Sequence, residues 1–305
     1  MYPPAAEIRA KIAFRLPEGL YRSGETSHWI AARRGGPLHS FLEGPSFDRQ
    51  GKLYAVDLAH GRILCFSPDG EASVFADYEG EPNGLKIHRD GRIFVADRMH
   101  GLLVFDPAKG TRETRLAGPG TDRFHGLNDL AFSSTGDLYF TDQGDSALEA
   151  PYGRVFRLRA SGELDLLMEG LAGPNGLVLN REETLLYVAV TRTNQVLSLP
   201  LLPDYRGIHK AGVFLQLSGS PTGPDGMALD EDGNLAVVHA GAGTVWLFSR
   251  LGEPLFRIRS SAGLRTTNVA YGGADRRMLF VTEAERGVIL EAAMPAPGAL
   301  LYSHM

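Results

Sequence analysis

Six polar residues recur along the chain, each at the start of an apolar segment. Two are acids and four are amides: Glu43, Asn83, Asn128, Asn175, Asp225 and Asn268. Their oxygens are hard ligands that suit Ca²⁺ best, with Mn²⁺ and Mg²⁺ as poorer fits and Zn²⁺ or Fe²⁺ as further alternatives. No basic residue occurs among them, and two unpaired carboxylates would be costly to bury unless a cation were bound. We call these six residues the heads and expect them to form one divalent-metal site.

A single head is explained equally well as a turn residue, because Asn-Gly and Asp-Gly are ordinary turn dipeptides. The heads, however, follow one another at intervals of 40 to 50 residues, and each begins an apolar strand, a turn and a return strand. The return strands end 14 or 15 residues after the heads, at Asp57, Asp97, Asp142, Val190, His239 and Glu283. This period is typical of propeller blades. The sequence therefore predicts an all-β fold, a six-bladed β-propeller of four-stranded antiparallel blades.

A propeller determines where the heads must lie. The innermost strand of each blade lines the central channel, so heads that begin these strands converge on one mouth. The second strand runs antiparallel and returns to the same face, so its last residues should form a second ring around the heads. We therefore expect a metal in the central channel, with a second ring that includes Asp142 and His239.

The repeat extends over residues 43–293 without a shift in composition, which favours a single domain over residues 1–305. Residues 1–42 form an N-terminal arm with a ring-closing strand near 12–16, and residues 294–305 form a tail packed on the outside. The stretch 24–41, which contains Arg33 and Arg34, and the insert 143–153 either pack on the surface or cover the mouth.

The composition restricts the function classes. The net charge is −5, and no basic run exceeds Arg33-Arg34, which argues against nucleic-acid or membrane-surface binding. No apolar run of 18 residues or secretory leader is recognisable. Cys65 is the single cysteine, so a disulfide framework is excluded. These features favour a cytoplasmic protein, monomeric by default, that acts on a small molecule.

Several motifs together resemble the gluconolactonase/regucalcin (senescence-marker-protein-30) family of six-bladed propeller lactonases. They are Glu43-Gly-Pro, Asn128-Asp-Leu with Tyr139-Phe-Thr-Asp142, Pro174-Asn175-Gly-Leu, Pro224-Asp225-Gly-Met and Asn268-Val-Ala-Tyr-Gly-Gly273. The resemblance covers about residues 40–293. It implies one catalytic divalent metal held by Glu43, Asn175 and Asp225, with Asn128 as the fourth ligand or as a substrate contact.

The sequence departs from the animal members of that family at two positions. Those members place an arginine that contacts sugar hydroxyls two residues before the position of Asn128, where this chain has Gly126 beside His125. His239 is also outside the pattern. Both departures point away from a simple aldonolactone, although not away from lactonase chemistry.

The resulting hypothesis is the opening of a lactone by a metal-activated water. Asp225 is the preferred base, with Asp129 as the alternative, and Asn128 and His239 complete the catalytic set. His239 either serves the substrate by orienting it or moving a proton, or is structural. Expected substrate contacts are Asn83, Asn128, Asn268, His125, Asp142 and Tyr152. Further candidates, for which packing is the alternative, are Trp29, Asp145 and Arg192.

Two other functions fit the same fold. A phosphotriesterase-like enzyme resembling the diisopropyl-fluorophosphatase group would share the propeller and the Ca²⁺, and fold alone does not separate it from a lactonase. A non-enzymatic scaffold with a structural metal is the third hypothesis. Two unpaired carboxylates in the channel argue against a scaffold, because partner binding on the rim does not require them.

Overall fold

The structure is a computed structural model that describes residues 4–32, 38–202, 208 and 210–305. Within these ranges the strands form six sheets, and the inner strand of each sheet contacts those of the next and previous sheets in a closed ring. The inner strands are Leu42–Phe47, Pro82–Ile87, Leu127–Phe132, Pro174–Leu179, Gly223–Leu229 and Thr266–Gly272. The predicted six-bladed propeller is confirmed.

Each blade continues outward as an antiparallel meander of successive strands. The second strands are Leu53–Asp57, Ile93–Asp97, Leu138–Asp142, Leu185–Val190, Leu235–Ala240 and Met278–Glu283. The third strands are Arg62–Phe66, Gly101–Asp106, Gly153–Leu158, Gln195–Pro200, Thr244–Phe248 and Val288–Ala293. The outer strands of blades one to five are Ala72–Asp77, Thr111–Leu116, Leu164–Leu171, Gly212–Gln216 and Pro254–Arg259.

The N-terminal segment closes the ring, as the sequence predicted. Strand Lys11–Arg15 pairs antiparallel with Val288–Ala293 and becomes the outer strand of blade six. The preceding strand, Ala6–Arg9, was not expected. It pairs parallel with Pro254–Arg259 and adds a fifth strand to blade five, so one short arm joins two adjacent blades.

The apolar core is divided into layers between neighbouring blades. Val56 and Leu85, for example, are fully buried in the layer between blades one and two, and Val155 and Val188 in the layer between blades three and four. Because both faces of a blade are covered, its inner strands are apolar on both sides. This packing fixes the six inner strands relative to one another, and with them the heads.

The described part of the arm lies on blade one at the face where the heads begin. A 3₁₀ turn, Glu18–Leu20, is followed by a short α-helix, His28–Ala32. Trp29 of this helix packs against Phe41, with ring centroids 4.8 Å apart, and against the buried Leu58. Arg33 and Arg34 lie outside the described residues. In the described ranges, no helix is long and apolar enough to cross a membrane.

The tail corrects one prediction. It does not lie as a coil on the outside of the blades, because residues 299–305 cover the end of the channel opposite the heads. A 3₁₀ turn, Tyr302–His304, buries Tyr302 against Phe132 of blade three, with ring centroids 5.1 Å apart. Arg49 of blade one donates a hydrogen bond to the Ser303 carbonyl at 2.7 Å.

Candidate functional site

All six heads lie at the beginning of the inner strands, at one end of the channel. Each is the second or third residue of its strand, and the five other than Asp225 are buried. Asp225 retains partial exposure. The predicted convergence is therefore present, although the heads differ in their contacts.

Glu43 lies at the most strongly connected part of the ring. Its Oε2 accepts hydrogen bonds from the backbone N–H of Gly44 at 2.8 Å and from Nδ2 of Asn268 at 3.0 Å. Burial and the nearby Asp129 carboxylate raise the pKa of Glu43 to about 8, and the two hydrogen bonds oppose that rise only in part. In the absence of a cation, Glu43 thus favours the protonated form near neutral pH.

Asp225 experiences the same electrostatics. Burial, followed by the carboxylates of Glu43 and Asp129, raises its pKa well above the ordinary value. A hydrogen bond from Asn175 and the positive charge of Arg192 act in the opposite direction. Three carboxyl groups from blades one, three and five therefore repel one another inside one channel.

Asp129 also reaches the centre of the channel, although the sequence analysis named it only as the alternative base. It follows the head Asn128, and its Oδ1 accepts a hydrogen bond from the Leu130 N–H at 2.8 Å, as Asn268 Oδ1 does from the Val269 N–H. Its own N–H donates to the hydroxyl of Thr141, at 3.1 Å. In blade three the residue that reaches the centre of the channel is Asp129.

The space that Asp129 occupies is created by a glycine in the neighbouring blade. Four blades have glycine directly after the head, at Gly44, Gly84, Gly176 and Gly226. A Cβ atom on Gly84 would lie 2.7 Å from Oδ1 of Asp129, and one on Gly226 would lie 2.1 Å from Oδ1 of Asn268. These glycines permit the close approach of adjacent inner strands and are required for the head ring to close.

Lys86 corrects one expectation. The sequence analysis expected no basic group near the acidic heads Glu43 and Asp225. Lys86 lies three positions after Asn83, and its Nζ is 3.8 Å from Oδ1 of Asp129. Its charge also lowers the pKa of Glu43, although less than burial raises it. Lys86 thus acts on Glu43 and Asp129, and Arg192 acts on Asp225, so two cations stand against three carboxyl groups.

Threonines connect the blades at the level of the heads. Thr141 donates a hydrogen bond from blade three to the Asn175 carbonyl of blade four, and Thr191 from blade four to the Pro224 carbonyl of blade five, both at 2.8 Å. Thr191 also accepts from Nδ2 of Asn175, at 3.2 Å. The sequence analysis did not assign this role to the threonines. Their positions could have indicated it, because Thr141 directly precedes Asp142, the last residue of the return strand in blade three, and Thr191 directly follows Val190, the last residue of the return strand in blade four.

The second ring is mainly structural. Asp57, Asp97 and Asp142 are fully buried, and each accepts a hydrogen bond from a backbone N–H two residues before the head of its blade. The other oxygen of Asp142 accepts from Arg154, at 2.6 and 2.9 Å. Because both oxygens of Asp142 are occupied, we do not retain it as a proposed substrate contact.

His239 takes the corresponding place in blade five, where its strand pairs it with Pro224. It is 4% exposed, and burial lowers its pKa while a hydrogen bond to the Gly219 backbone opposes that shift. Its Nε2 has no hydrogen-bond partner in the described ranges. None of its recorded contacts is to a head, so the catalytic role assigned to His239 stays a prediction.

At the mouth, the insert after blade three's second strand is attached to blade two. Nη1 of Arg98 donates to the Gly144 carbonyl at 3.2 Å, and Nη2 to the Asp145 carboxylate at 2.9 Å. Beside this attachment, the exposed rings of His125 and Tyr152 are in contact, with centroids 5.0 Å apart. Two of the predicted substrate contacts thus form one aromatic pair on the rim.

The arm also reaches this wall of the mouth. Nδ1 of His28 lies 2.7 Å from Oε1 of Glu81, and Oε2 of Glu81 lies 3.5 Å from Nε of Arg98. Glu81 therefore connects the helix of the arm to the residue that holds the insert. Arg192, on the opposite side of the insert, is exposed and packs its side chain against Gly173.

The donor set fits a hard divalent cation. Glu43 and Asp225 supply carboxylate oxygens, and Asn128 and Asn175 supply amide oxygens, which suits Ca²⁺ ligation. Burial is the largest cause of the raised pKa values of Glu43 and Asp225, and the neighbouring carboxylates add to it. No three His, Cys, Asp or Glu side chains in the described ranges converge as a ligand group, so amide oxygens are required to complete the set.

Comparison with known proteins places these residues in a family. The model of the SMP-30/gluconolactonase/LRE-like region matches residues 41–285. A gluconolactonase of Zymomonas mobilis is 30% identical over 75% of this chain and 72% of its own, and the lactonase drp35 of Staphylococcus saprophyticus is 29% identical over 80% and 79%. The structure of regucalcin, a calcium-binding protein from Agrobacterium tumefaciens, has a TM-score of 0.77 at 20% identity and covers 99% of this chain and 100% of that one. The chain belongs to the SMP-30/gluconolactonase/LRE-like family.

Proposed function

We propose that this protein is a metal-dependent hydrolase that opens a small lactone at the ring of heads. The observation that carries the proposal is the electrostatic interaction of three carboxyl groups at the head end of the channel: Asp129 raises the pKa of both Glu43 and Asp225, and Glu43 also raises that of Asp225. Membership of a family whose relatives include a gluconolactonase and a lactonase supports the reaction class.

The proposed ligands of the metal are Glu43, Asn128, Asn175 and Asp225, and Ca²⁺ is the first candidate for a set made only of oxygens. A bound divalent cation would supply Lewis-acid polarisation of the lactone carbonyl and a more acidic water. The chain keeps this donor set in place through neighbours. Asn268 holds Glu43 by a hydrogen bond at 3.0 Å, and Thr191 holds Asn175 at 3.2 Å.

The base that takes the proton from the attacking water is proposed to be Asp225, with Asp129 as the alternative. A base works best when its pKa lies near the operating pH. Burial and the two neighbouring carboxylates move the pKa of Asp225 upward, in that direction. Water oxygen bonds to the carbonyl carbon, the ring C–O bond breaks, and the proton passes to the alkoxide, which gives a hydroxy carboxylic acid.

The proposed substrate contacts lie in two tiers. Asn83, Asn128 and Asn268 lie in the ring itself. The amides of Asn83 and Asn128 can hydrogen-bond ring and carbonyl oxygens, whereas both N–H donors of Asn268 are taken by Glu43 and Asp129, so its contact with the substrate would be by packing. His125 and Tyr152 form the exposed pair on the rim, 5.0 Å apart, and present an aromatic surface to the part of the lactone that leaves the channel. This arrangement favours a lactone with an apolar or ring substituent over a fully hydroxylated one.

The deciding experiment measures lactone hydrolysis by chelator-treated protein to which Ca²⁺, Mn²⁺, Mg²⁺, Zn²⁺ or Fe²⁺ is returned. The panel contains sugar lactones, aliphatic γ- and δ-lactones, an aromatic lactone and a phosphotriester. We expect no turnover without metal and recovery with Ca²⁺. Turnover of only the phosphotriester would replace the lactonase proposal, and no turnover with any metal that binds tightly would favour the scaffold.

A further inference from the structure

A second cavity occupies the channel on the other side of the head ring. It has a volume of about 300 Å³, lies between the inner strands and the tail, and has mostly apolar walls. Ile87, Phe132, Leu177 and Met227 contribute side chains to it, and Tyr302 of the tail covers it. A volume of this size is at the lower end of those of small-molecule sites.

The layer of this cavity nearest the heads contains a single charge. It consists of the inner-strand residues that pair at the same level in each blade: Ser46, Lys86, Ala131, Val178, Ala228 and Ala270. All six belong to the described residues, and Lys86 is the only basic or acidic residue among them. The cavity therefore has mostly apolar walls with the Lys86 side chain on the side of the heads, and Arg181, Glu183 and Glu231 also line it.

The ammonium of Lys86 has hydrogen-bonding capacity to spare. It carries three N–H donors, and one of them reaches the Leu85 carbonyl, at 3.2 Å. Asp129 Oδ1 is 3.8 Å away, which is too far for a hydrogen bond. Both oxygens of Asp129 already accept other hydrogen bonds, from Leu130 N–H and from Asn268. Asp129 thus does not use up the donors of Lys86.

We propose that this lower cavity is a binding site for a small monocarboxylate with a compact apolar body. The carboxylate accepts hydrogen bonds from Lys86, which are stronger than neutral ones because both partners are charged. The apolar body lies against Phe132, Leu177 and Met227, and the cavity volume restricts it to the size of benzoate or hexanoate. The proposal does not depend on the proposed lactonase activity, because the site lies beyond the heads.

The test measures binding of benzoate to the full chain by calorimetry, in chelator so that no metal at the heads competes for the carboxylate. Benzamide is the uncharged probe of the same shape. We expect benzoate to bind at least about tenfold more tightly than benzamide, since only the anion pairs with Lys86. Equal affinity of the two probes, or no benzoate binding at about 10 mM, would overturn the proposal.

Two variants locate the site. Lys86→Met removes the charge at similar length and should weaken benzoate binding by about tenfold or more, whereas Lys109→Met removes an exposed lysine and should have no effect. Ala228→Leu fills the cavity without altering charge and should weaken both probes, which keeps the test decisive should Lys86→Met fold poorly. Benzoate binding that survives both Lys86→Met and Ala228→Leu would place the ligand elsewhere and contradict the proposal.

Discussion

Asp129 and Asn268 belong to opposite blades, three and six, and their side chains meet across the channel. Nδ2 of Asn268 donates to Oδ2 of Asp129 at 3.2 Å and also to Oε2 of Glu43 at 3.0 Å. This amide therefore links three blades at the level of the heads. It separates the upper part of the channel, with the proposed metal ligands, from the cavity below.

The first prediction concerns the base. Asp225→Asn should lower kcat/KM for the preferred lactone by about 100-fold or more, because loss of a general base typically costs that much. It should also weaken metal binding, since Asp225 is a proposed ligand. Asp232→Asn, an exposed turn substitution in the same blade, is the control and should leave both unchanged. Full turnover by Asp225→Asn, with loss in Asp129→Asn, would assign the base to Asp129 instead.

The second prediction is a pH dependence of stability in chelator-treated protein. The pKa of Glu43 is raised from 4.5 to about 8 in the folded state. At a pH between these two values, the Glu43 carboxyl group is therefore protonated in the folded protein and ionised in the unfolded protein. The free energy of unfolding must therefore fall as pH rises through that window. Glu43→Gln cannot ionise and should flatten this part of the profile, as measured by urea unfolding at several pH values.

The matched control for this experiment is Glu71→Gln, at an exposed turn position. It should keep the slope of the parent protein. Addition of Ca²⁺ should raise the stability of the parent protein most at the alkaline end, where the carboxylates are ionised, and should do so less for Glu43→Gln. A profile for Glu43→Gln that parallels the parent would show that Glu43 is not the titrating group.

The third prediction separates structure from substrate binding at Asp142. Asp142→Asn leaves Arg154 without its buried partner and weakens the hydrogen bond to the Gly126 N–H. Breaking one side of such a buried pair typically costs about 3–5 kcal/mol. We expect that loss in thermal or urea unfolding, with metal affinity of the folded fraction unchanged. A variant with normal stability and a raised KM would return Asp142 to the substrate contacts.

The fourth prediction concerns the insert at the mouth. Arg98→Met removes the hydrogen bonds to Gly144 and Asp145, so residues 143–152 should become more susceptible to limited proteolysis. Because His125 and Tyr152 meet beside this attachment, KM should rise more for bulky than for small lactones, with kcat nearly constant. Asp145→Asn should have the weaker effect, since its side chain is 85% exposed and such pairs contribute little. Equal KM changes for all lactones would contradict the role of the aromatic pair.

Much of the fold was predictable because its signals are local. Apolar strands of regular length recur in every blade, and turns such as Asp90-Gly91, where Gly91 has a φ of +89°, recur in blades one, two, three and five, so the period defines the architecture. The heads could be assigned for the same reason. The pairing of Ala6–Arg9 with blade five was not predictable, because a four-residue strand at an edge carries too little pattern to specify its partner.

The centre of the site was harder to predict, because it depends on which of two adjacent residues, Asn128 or Asp129, reaches the centre of the channel. The sequence alone does not indicate that Asp129 occupies space left by Gly84, or that Lys86 approaches it from another blade. For His239 the two signals point in different directions. Its place in the repeat is that of Asp57, Asp97 and Asp142, which favours a structural role, whereas its buried Nε2 has no hydrogen-bond partner in the described ranges, so the catalytic role stays a prediction.

The ring closure has a consequence for how the protein is made. Strand Lys11–Arg15 leaves the ribosome well before its partner, Val288–Ala293, because Lys11 pairs with Glu291. At about 5–20 residues per second, synthesis of the intervening chain takes on the order of 14 to 56 s. During that interval the arm is an unpaired strand that can bind to a wrong edge. The nascent chain therefore has a period in which chaperone protection matters most, and it ends only when blade six is complete.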